Sequence, residues 1–328
     1  MLIKKEHLSI SFLKTYVMNL DSYKKSDAMN FGSLVDCMLY TPGKTKNEFI
    51  IYNKDNTCKA IDENIDEYLI QLKVKDISRI NDTKIENIED FAEWLSDKLA
   101  NEKAVTNKIK TQGTIDKYKA EFYEQILSHT NYINIISDET LANKIIITQK
   151  DFEEALKCSK YIANSEHMTH FLKAGKSEFQ KEIIQKVNFE HGEESLKGII
   201  DHFVINEESK TISIVDLKCT DMGIMEFKSI VDKLRYDLQA AFYVYMVKQM
   251  YNTFDSQYDV DFYWLVYSKK EERTVVYKAS DEILERGRNG DKWKKGFMDL
   301  IRNYQLSHIN NYPDFNYDYN STKGFMVI

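Results

Sequence analysis

Gly198-Ile199-Ile200-Asp201 and Ile214-Val215-Asp216-Leu217-Lys218, preceded by Glu182-Ile183-Ile184, are apolar segments that each carry a carboxylate. Polar runs at Glu190 to Glu194 and Asn206 to Lys210 separate them, and their alternation has the two-residue period of strands. The predicted strands are Glu182 to Phe189, Leu196 to Ile205 and Thr211 to Cys219. Strands joined by such short turns pair as neighbours, so Asp201, Asp216 and Lys218 are expected in one place.

Working outward, Glu226 to Tyr251 has a helical pattern almost without breakers, followed by strands over Val260 to Tyr267 and Thr274 to Lys278. A final helix is predicted over Asp281 to Tyr304, interrupted by Gly287 and Gly290. Upstream, Thr148 and Asp151 cap a helix through Phe152, Ala155, Leu156 and Ile162. Thr83 to Leu99 and the series Ile115, Phe122, Ile126 are also helical in spacing. The fold class is therefore α/β, a central sheet flanked by helices, with a mainly helical N-terminal half. The boundary falls between residues 147 and 148.

A chain of 328 residues with 43% hydrophobic and 30% charged residues can bury a substantial core. No apolar run approaches the roughly 20 residues that span a bilayer. The first twenty residues include Lys4, Lys5, Glu6 and Lys14 and lack a signal-peptide core, so a cytoplasmic location without membrane contact is expected. Cys37, Cys58, Cys158 and Cys219 are scattered, which suggests neither a zinc site nor a disulfide framework. His167 and His170 lack a nearby third ligand and read as surface residues. There is no Gly-rich phosphate loop, which argues against intrinsic ATP use.

The formal charge of −7 argues against a protein that grips nucleic acid by bulk electrostatics alone, but not against one with a local basic strip. Lys228, Lys233 and Arg235, leading into Gln239, are the candidates for phosphate contacts, the alternative being ordinary exposed helix charges. Hydrolysing a phosphodiester needs an activated water, charge neutralisation on the phosphoryl oxygens and help for the leaving oxyanion, all within reach of divalent metal chemistry. Mg²⁺ prefers a few hard oxygen ligands and keeps several waters. Glu182, Asp201 and Asp216 meet that demand, and the carbonyl of Leu217 can add a ligand. Lys218 shares a strand face with Asp216, placed to orient or deprotonate the attacking water. The competing reading of Asp216-x-Lys218 is a surface ion pair.

The order Glu182, Asp201, Asp216-x-Lys218, then Tyr236-Asp237-Leu238-Gln239-Ala240-Ala241-Phe242-Tyr243, resembles the PD-(D/E)xK nuclease superfamily. Within it, the likeness is to the exodeoxyribonuclease VIII (RecE-like) and phage exonuclease group, from about Thr148 to Tyr267. The resemblance implies a restriction-endonuclease-like core, a central mixed β-sheet flanked by helices. It also implies that Gln239 lies beside the active site, with Tyr243 one turn further along as a DNA contact, the alternative for Tyr243 being core packing. Related nucleases carry Gly followed four residues later by a metal-assisting His. Here Gly32 is followed by Asp36, which is then a candidate metal ligand, the alternative being a solvated acid. Phe31, Leu34, Val35, Met38 and Leu39 form the apolar stripe of that helix, and Gly32 is expected to permit close approach on the other face. The superfamily's Pro-Asp is Ile200-Asp201, and Asn311 to Phe315 resembles an aromatic-proline turn near the end of these exonucleases.

What the resemblance implies about function is a Mg²⁺-dependent exonuclease, with Mn²⁺ as a substitute, that degrades linear double-stranded DNA from its ends, 5′ to 3′, in phage-type recombination. It further implies a homo-oligomer, a single-strand annealing protein as partner, and a bacterial or phage-infected cytoplasm. The alternatives are a Cas4-like or structure-specific endonuclease, and a catalytically silent DNA-binding protein on the same fold. Asp55 to Leu127 is open between a DNA-facing arch, an oligomer contact and a spacer.

Overall fold

The structure is a computed structural model and describes residues 5–17, 27–75, 85, 87–137, 141, 144–252 and 257–310, without the side chains of 16, 17, 70–75 and 310. In chain order the elements are α1 (Ile10–Val17), α2 (Asp27–Tyr40), α3 (Thr45–Glu48), β1 (Phe49–Ile51), α4 (Asn56–Lys75), α5 (Ile88–Thr106), α6 (Gln112–Ser128), α7 (Thr130–Ser137) and β2 (Ile145–Ile147). Then follow α8 (Gln149–Ala163), α9 (Glu166–Ala174), β3 (Lys176–Phe189), β4 (Gly192–Asn206), β5 (Thr211–Thr220), α10 (Phe227–Lys233), α11 (Tyr236–Tyr251), β6 (Asp259–Ser268), β7 (Arg273–Lys278), α12 (Asp281–Asn289) and α13 (Phe297–Asn310).

Two compact units result, residues 1–43 with 154–328, and residues 44–153. The sequence predicts a single boundary at 147/148, whereas the structure groups α1 and α2 with the later sheet. The reason is local: Leu8 bridges to Leu196 on β4, and Leu8, Ile10 and Leu13 are buried in the same core as Leu196, Phe242 and Tyr304.

In the first unit the five strands run in the order β3-β4-β5-β6-β7. All neighbours are antiparallel except β5 and β6, which are parallel. A parallel pair needs a crossover, and α10 and α11 supply it, so α11 lies across the sheet. Ile212 and Ile214 of β5, Phe262 and Trp264 of β6, and Leu238 and Phe242 of α11 share one core. Their alternation on the strands points Asp216 and Lys218, two and four residues beyond Ile214, toward the same side. On the other face, Phe171 of α9 packs edge-on against His202 and Tyr263.

The predicted strands are all present, and the Thr148–Asp151 cap forms, with Asp151 N donating to Thr148 Oγ1 at 3.0 Å and Thr148 Oγ1 to Asp151 Oδ2 at 2.7 Å. Two helix predictions need correction. The segment Glu226 to Tyr251 is two helices, broken at Leu234-Arg235, where Arg235 adopts the left-handed conformation (φ 55°). The final helix is not interrupted at Gly287, which is helical and allows α12 to touch the backbone of α11 at Asp237; the break falls at Gly290 to Gly296. The second unit has its own core of Cys58, Ile61, Phe91, Leu95, Ile126, Tyr132 and Ile133, from α4, α5, α6 and α7. Within the predicted helix of residues 83–99, residues 83, 84 and 86 lie outside the described residues, as does the aromatic-proline turn at Asn311 to Phe315.

Candidate active site at a fork in the sheet

The ladder between β4 and β5 runs from Asn206↔Thr211 to His202↔Val215 and stops there. Beyond it the strands part, while β3 and β4 remain paired and β5 and β6 remain paired. Asp201 is the first residue past the fork on β4, and Asp216 the first on β5. Oδ2 of Asp201 accepts the backbone N–H of Leu217 at 3.0 Å, so a carboxylate takes the place of the next ladder bond. Its Oδ1 accepts from Gln180 Nε2 at 3.3 Å. Gln180, opposite Asp201 on β3, has a positive φ of 49°, a distortion confined to this level of the sheet.

Asp216 is 4% exposed. Its Oδ1 accepts from Gln239 Nε2 of α11 at 3.0 Å, and its Oδ2 lies 2.5 Å from Lys218 Nζ but accepts no well-formed hydrogen bond. The Lys218 ammonium also sits 4.9 Å above the Tyr236 ring. Asp36 approaches from α2. Burial and then the Asp201 charge push its carboxyl well above the usual range. Burial and the neighbouring Asp216 charge raise Asp201 to about 7. Burial works against a charged Lys218, yet the Asp216 and Asp201 charges more than offset it and hold its pKa above the ordinary lysine value.

The structure therefore brings together Asp36, Asp201, Asp216, Lys218 and Gln239. The backbone of Leu217 lies among them, its N–H on Asp201. Glu182 stands apart: it faces Ile199, forms a 2.7 Å ion pair with Lys197, and its side chain is half exposed. Counting from Glu182 to Asp201 crosses both a strand and one full pleat, which a reading of residue order does not see.

Arg235 is not a free cation. Its Nε donates to Asp237 Oδ1 at 3.0 Å and its Nη2 to Asp237 Oδ2 at 3.3 Å and to the carbonyl of Lys295 at 2.8 Å. Asp237 is fully buried, so this pair is structural, contrary to the expectation of a DNA contact. Lys228 and Lys233 are exposed on α10. Tyr243 packs against Gly198, where a Cβ would lie 2.8 Å from its Cε1, and burial with the Asp216 and Asp201 charges raises its hydroxyl to about 12. Its ring is thus built into the wall of the site. Gly32, in contrast to the expected close approach, has open space around it.

Two residues near this group escaped the sequence reading. Lys14 of α1 donates to the carbonyl of Leu234 at 3.2 Å; burial and the Lys218 charge lower it to about 8. The hydroxyl of Tyr40, one turn after Asp36, is buried without a hydrogen-bond partner, and burial followed by the charges of Asp201 and Asp36 raises its pKa. The only sequence signal for Tyr40 is its i+4 spacing from Asp36; nothing marks Lys14.

A match of the PD-(D/E)XK nuclease superfamily model covers residues 120–319, which includes the whole fork and the helix behind it. The chain belongs to the PD-(D/E)XK nuclease superfamily. The mixed five-stranded sheet flanked by helices agrees with that fold. A solved structure titled "Crystal structure of SSO0001" is similar at 9% identity, with 58% of this chain and 72% of that chain covered and a TM-score of 0.27. No curated protein matches the sequence.

PD-(D/E)XK nucleases use divalent metal ions, and the fork fits one. Three carboxylates face the Lys218 ammonium, and one buried carboxylate oxygen, Oδ2 of Asp216, lacks a proper donor. In the second unit, folding also gathers Asp55, Cys58 and His129 within 4.8 Å, although the cysteines look scattered in sequence. There Asp55 caps α4 by accepting from the N–H of Thr57 and Cys58, while His129 uses Nε2 on Asp55 (3.1 Å) and Nδ1 on Tyr52 (2.8 Å). Both imidazole nitrogens are engaged and burial raises the Cys58 thiol, so the cluster reads as a helix cap. His167 and His170 line a pocket of about 540 Å³ with Phe171 and Tyr263, and no third metal ligand joins them among the described residues. No described helix is long and apolar enough to cross a membrane.

Proposed function

We propose that the protein is a Mg²⁺-dependent DNA exonuclease acting on the ends of linear duplex DNA, with Asp36, Asp201, Asp216 and the Leu217 carbonyl as the metal-binding set. The observation that carries this is the fork, where a buried Asp-x-Lys and two further acids are held in one electrostatic group. A bound divalent cation supplies charge neutralisation at the phosphoryl oxygens and acidifies water. Lys218, protonated at neutral pH, orients the attacking water and stabilises charge on the phosphoryl group rather than removing a proton. Gln239 fixes the Asp216 carboxylate through Oδ1, leaving Oδ2 directed at Lys218 and the substrate side. The Tyr40 hydroxyl is a spare donor for an oxygen placed among the acids.

Polarity from the 5′ end, a role in phage-type recombination beside an annealing protein, homo-oligomer assembly and action in a bacterial or infected cytoplasm follow from the resemblance to the exodeoxyribonuclease VIII and phage exonuclease group, and are part of the proposal on that ground. Lys228 and Lys233 remain the candidate phosphate contacts on α10. The test is digestion of end-labelled linear, nicked and circular DNA by the purified protein with Mg²⁺ or Mn²⁺. Release of nucleotides from linear substrate alone supports the exonuclease. Cleavage of the circle assigns an endonuclease on the same core, and no cleavage of any substrate with either metal overturns the reading.

A further inference from the structure

We infer that the loop between α12 and α13 is a stacking platform for an unpaired nucleic-acid base, with Trp293 as the aromatic face. This deepens the nuclease reading and takes its ligand class from it. Trp293 is 82% exposed, whereas Trp264 is 1% exposed in the core. A single exposed aromatic is ordinary on a surface, and what sets this one apart is the charge around it. The ten residues Arg286 to Lys295 contain five cations, Arg286, Arg288, Lys292, Lys294 and Lys295, and one acid, Asp291, in a chain of net charge −7.

The loop is built, not loose. Asp291 Oδ1 accepts the N–H groups of Trp293 (2.7 Å) and Lys294 (2.8 Å), and Asp291 N donates to the Lys294 carbonyl at 2.8 Å. Gly290, with φ 81°, is so close to the Lys294 carbonyl that a Cβ would sit 2.5 Å from it. The loop thus closes on itself with Trp293 at its tip. Arg286 and Lys294 are committed to Asp237 and Asp232, while Arg288, Lys292 and Lys295 are exposed and have no carboxylate partner among the described residues. Lys292 Nζ already lies 4.9 Å from the Trp293 ring.

An exposed indole among unpaired cations matches a base with its phosphates, since every base has a face to stack and the strand carries a charge per nucleotide. The platform is also tied to the active-site helix. Lys295 O accepts from Arg235, which precedes α11, and Gln239, about 6 Å further along that axis, holds Asp216. An aliphatic protein surface would not call for these cations, and a duplex end would offer its bases only after fraying.

The experiment is a fluorescence and anisotropy titration of the full chain with a thymidine oligomer of about 20 nucleotides and a blunt duplex, in Ca²⁺, with gels confirming intact DNA. Quenching of tryptophan emission by the oligomer, absent in W293L, and a five- to hundredfold weaker oligomer affinity in W293L with W293F near wild type, are expected. The melting temperature of W293L stays near the wild-type value, because the side chain is 82% exposed and its one ring contact is to the exposed Lys292. Unchanged emission at saturating oligomer, equal affinity of W293L, or no oligomer binding at all overturns the platform. The nuclease reading is judged separately by cleavage of DNA in Mg²⁺, which the Trp293 titration does not need.

Discussion

The backbone N–H of Leu217 donates to Oδ2 of Asp201 at 3.0 Å, so the acid of one strand takes the hydrogen bond that the neighbouring strand has given up. This single contact explains why Asp201 sits beside Asp216 after the ladder has ended at His202↔Val215. It also means that two carboxylates are packed together at a point where the fold alone gains nothing from their repulsion.

Replacing Asp201 by Asn should therefore separate stability from activity. The amide keeps an oxygen to accept from Leu217 and removes a charge next to Asp216. Metal-free D201N is expected to melt about 2–6 °C higher than the wild type, while DNA cleavage falls at least about a thousandfold. Thermal melts in EDTA and a cleavage assay check the two halves.

The pH dependence has a definite sign. Asp201 titrates at about 7 in the fold against an ordinary value of 3.8, so the metal-free native state binds the proton more tightly. That contribution favours the fold at low pH and is lost as pH rises from about 4 to 7, and Asp36 adds in the same direction. His202, lowered by burial to about 4, opposes it between about 4 and 6.5. Metal binding must displace the Asp201 proton. Below pH 7 the affinity for Mg²⁺ should tighten at least about tenfold per pH unit, and calorimetry in two buffers of different ionisation enthalpy should show at least about one proton released per site at pH 6, from Asp201 with a further share from Asp36.

Lys218→Met leaves Asp216 buried without its ion-pair partner. A loss of about 3–5 kcal/mol in the metal-free protein is expected, measured by denaturant unfolding, with a partial recovery when Mg²⁺ is added. Cleavage should not recover. Restored turnover on adding metal would take Lys218 out of the mechanism.

Arg235→Ala tests the structural reading of a residue whose sequence position suggests a phosphate contact. Its bidentate bond to fully buried Asp237 and its bond to Lys295 O predict destabilisation by about 2–3 kcal/mol by denaturant unfolding, even with no DNA present, since Arg286 still donates to Asp237 Oδ2 at 3.2 Å. Lys233→Ala, on the exposed face of α10, should leave stability within about 0.5 kcal/mol and lower only the salt dependence of DNA binding.

The five strands and the pairing of Asp216 with Lys218 were legible because a two-residue period and one short turn are local facts. Gln239 was legible only through its motif, since nothing in its spacing says that its amide meets Asp216. Three things were not legible. The break at Arg235 depends on a guanidinium anchored by Asp237 and by Lys295, sixty residues downstream. The displacement of Glu182 depends on the geometry of one pleat and on a lysine across the strand. The arrival of α1, with Lys14, depends on Leu8 pairing with Leu196. Each is a long-range contact between residues that a linear reading has no means to join.

The guanidinium of Arg235 acts as a rivet. It fastens the start of the helix bearing Gln239 to the loop bearing Trp293. A base seated on the indole would then lie at a fixed number of nucleotides from the bond to be cut. On the proposed reading, cut position along a strand would be a length measured by the protein, independent of sequence.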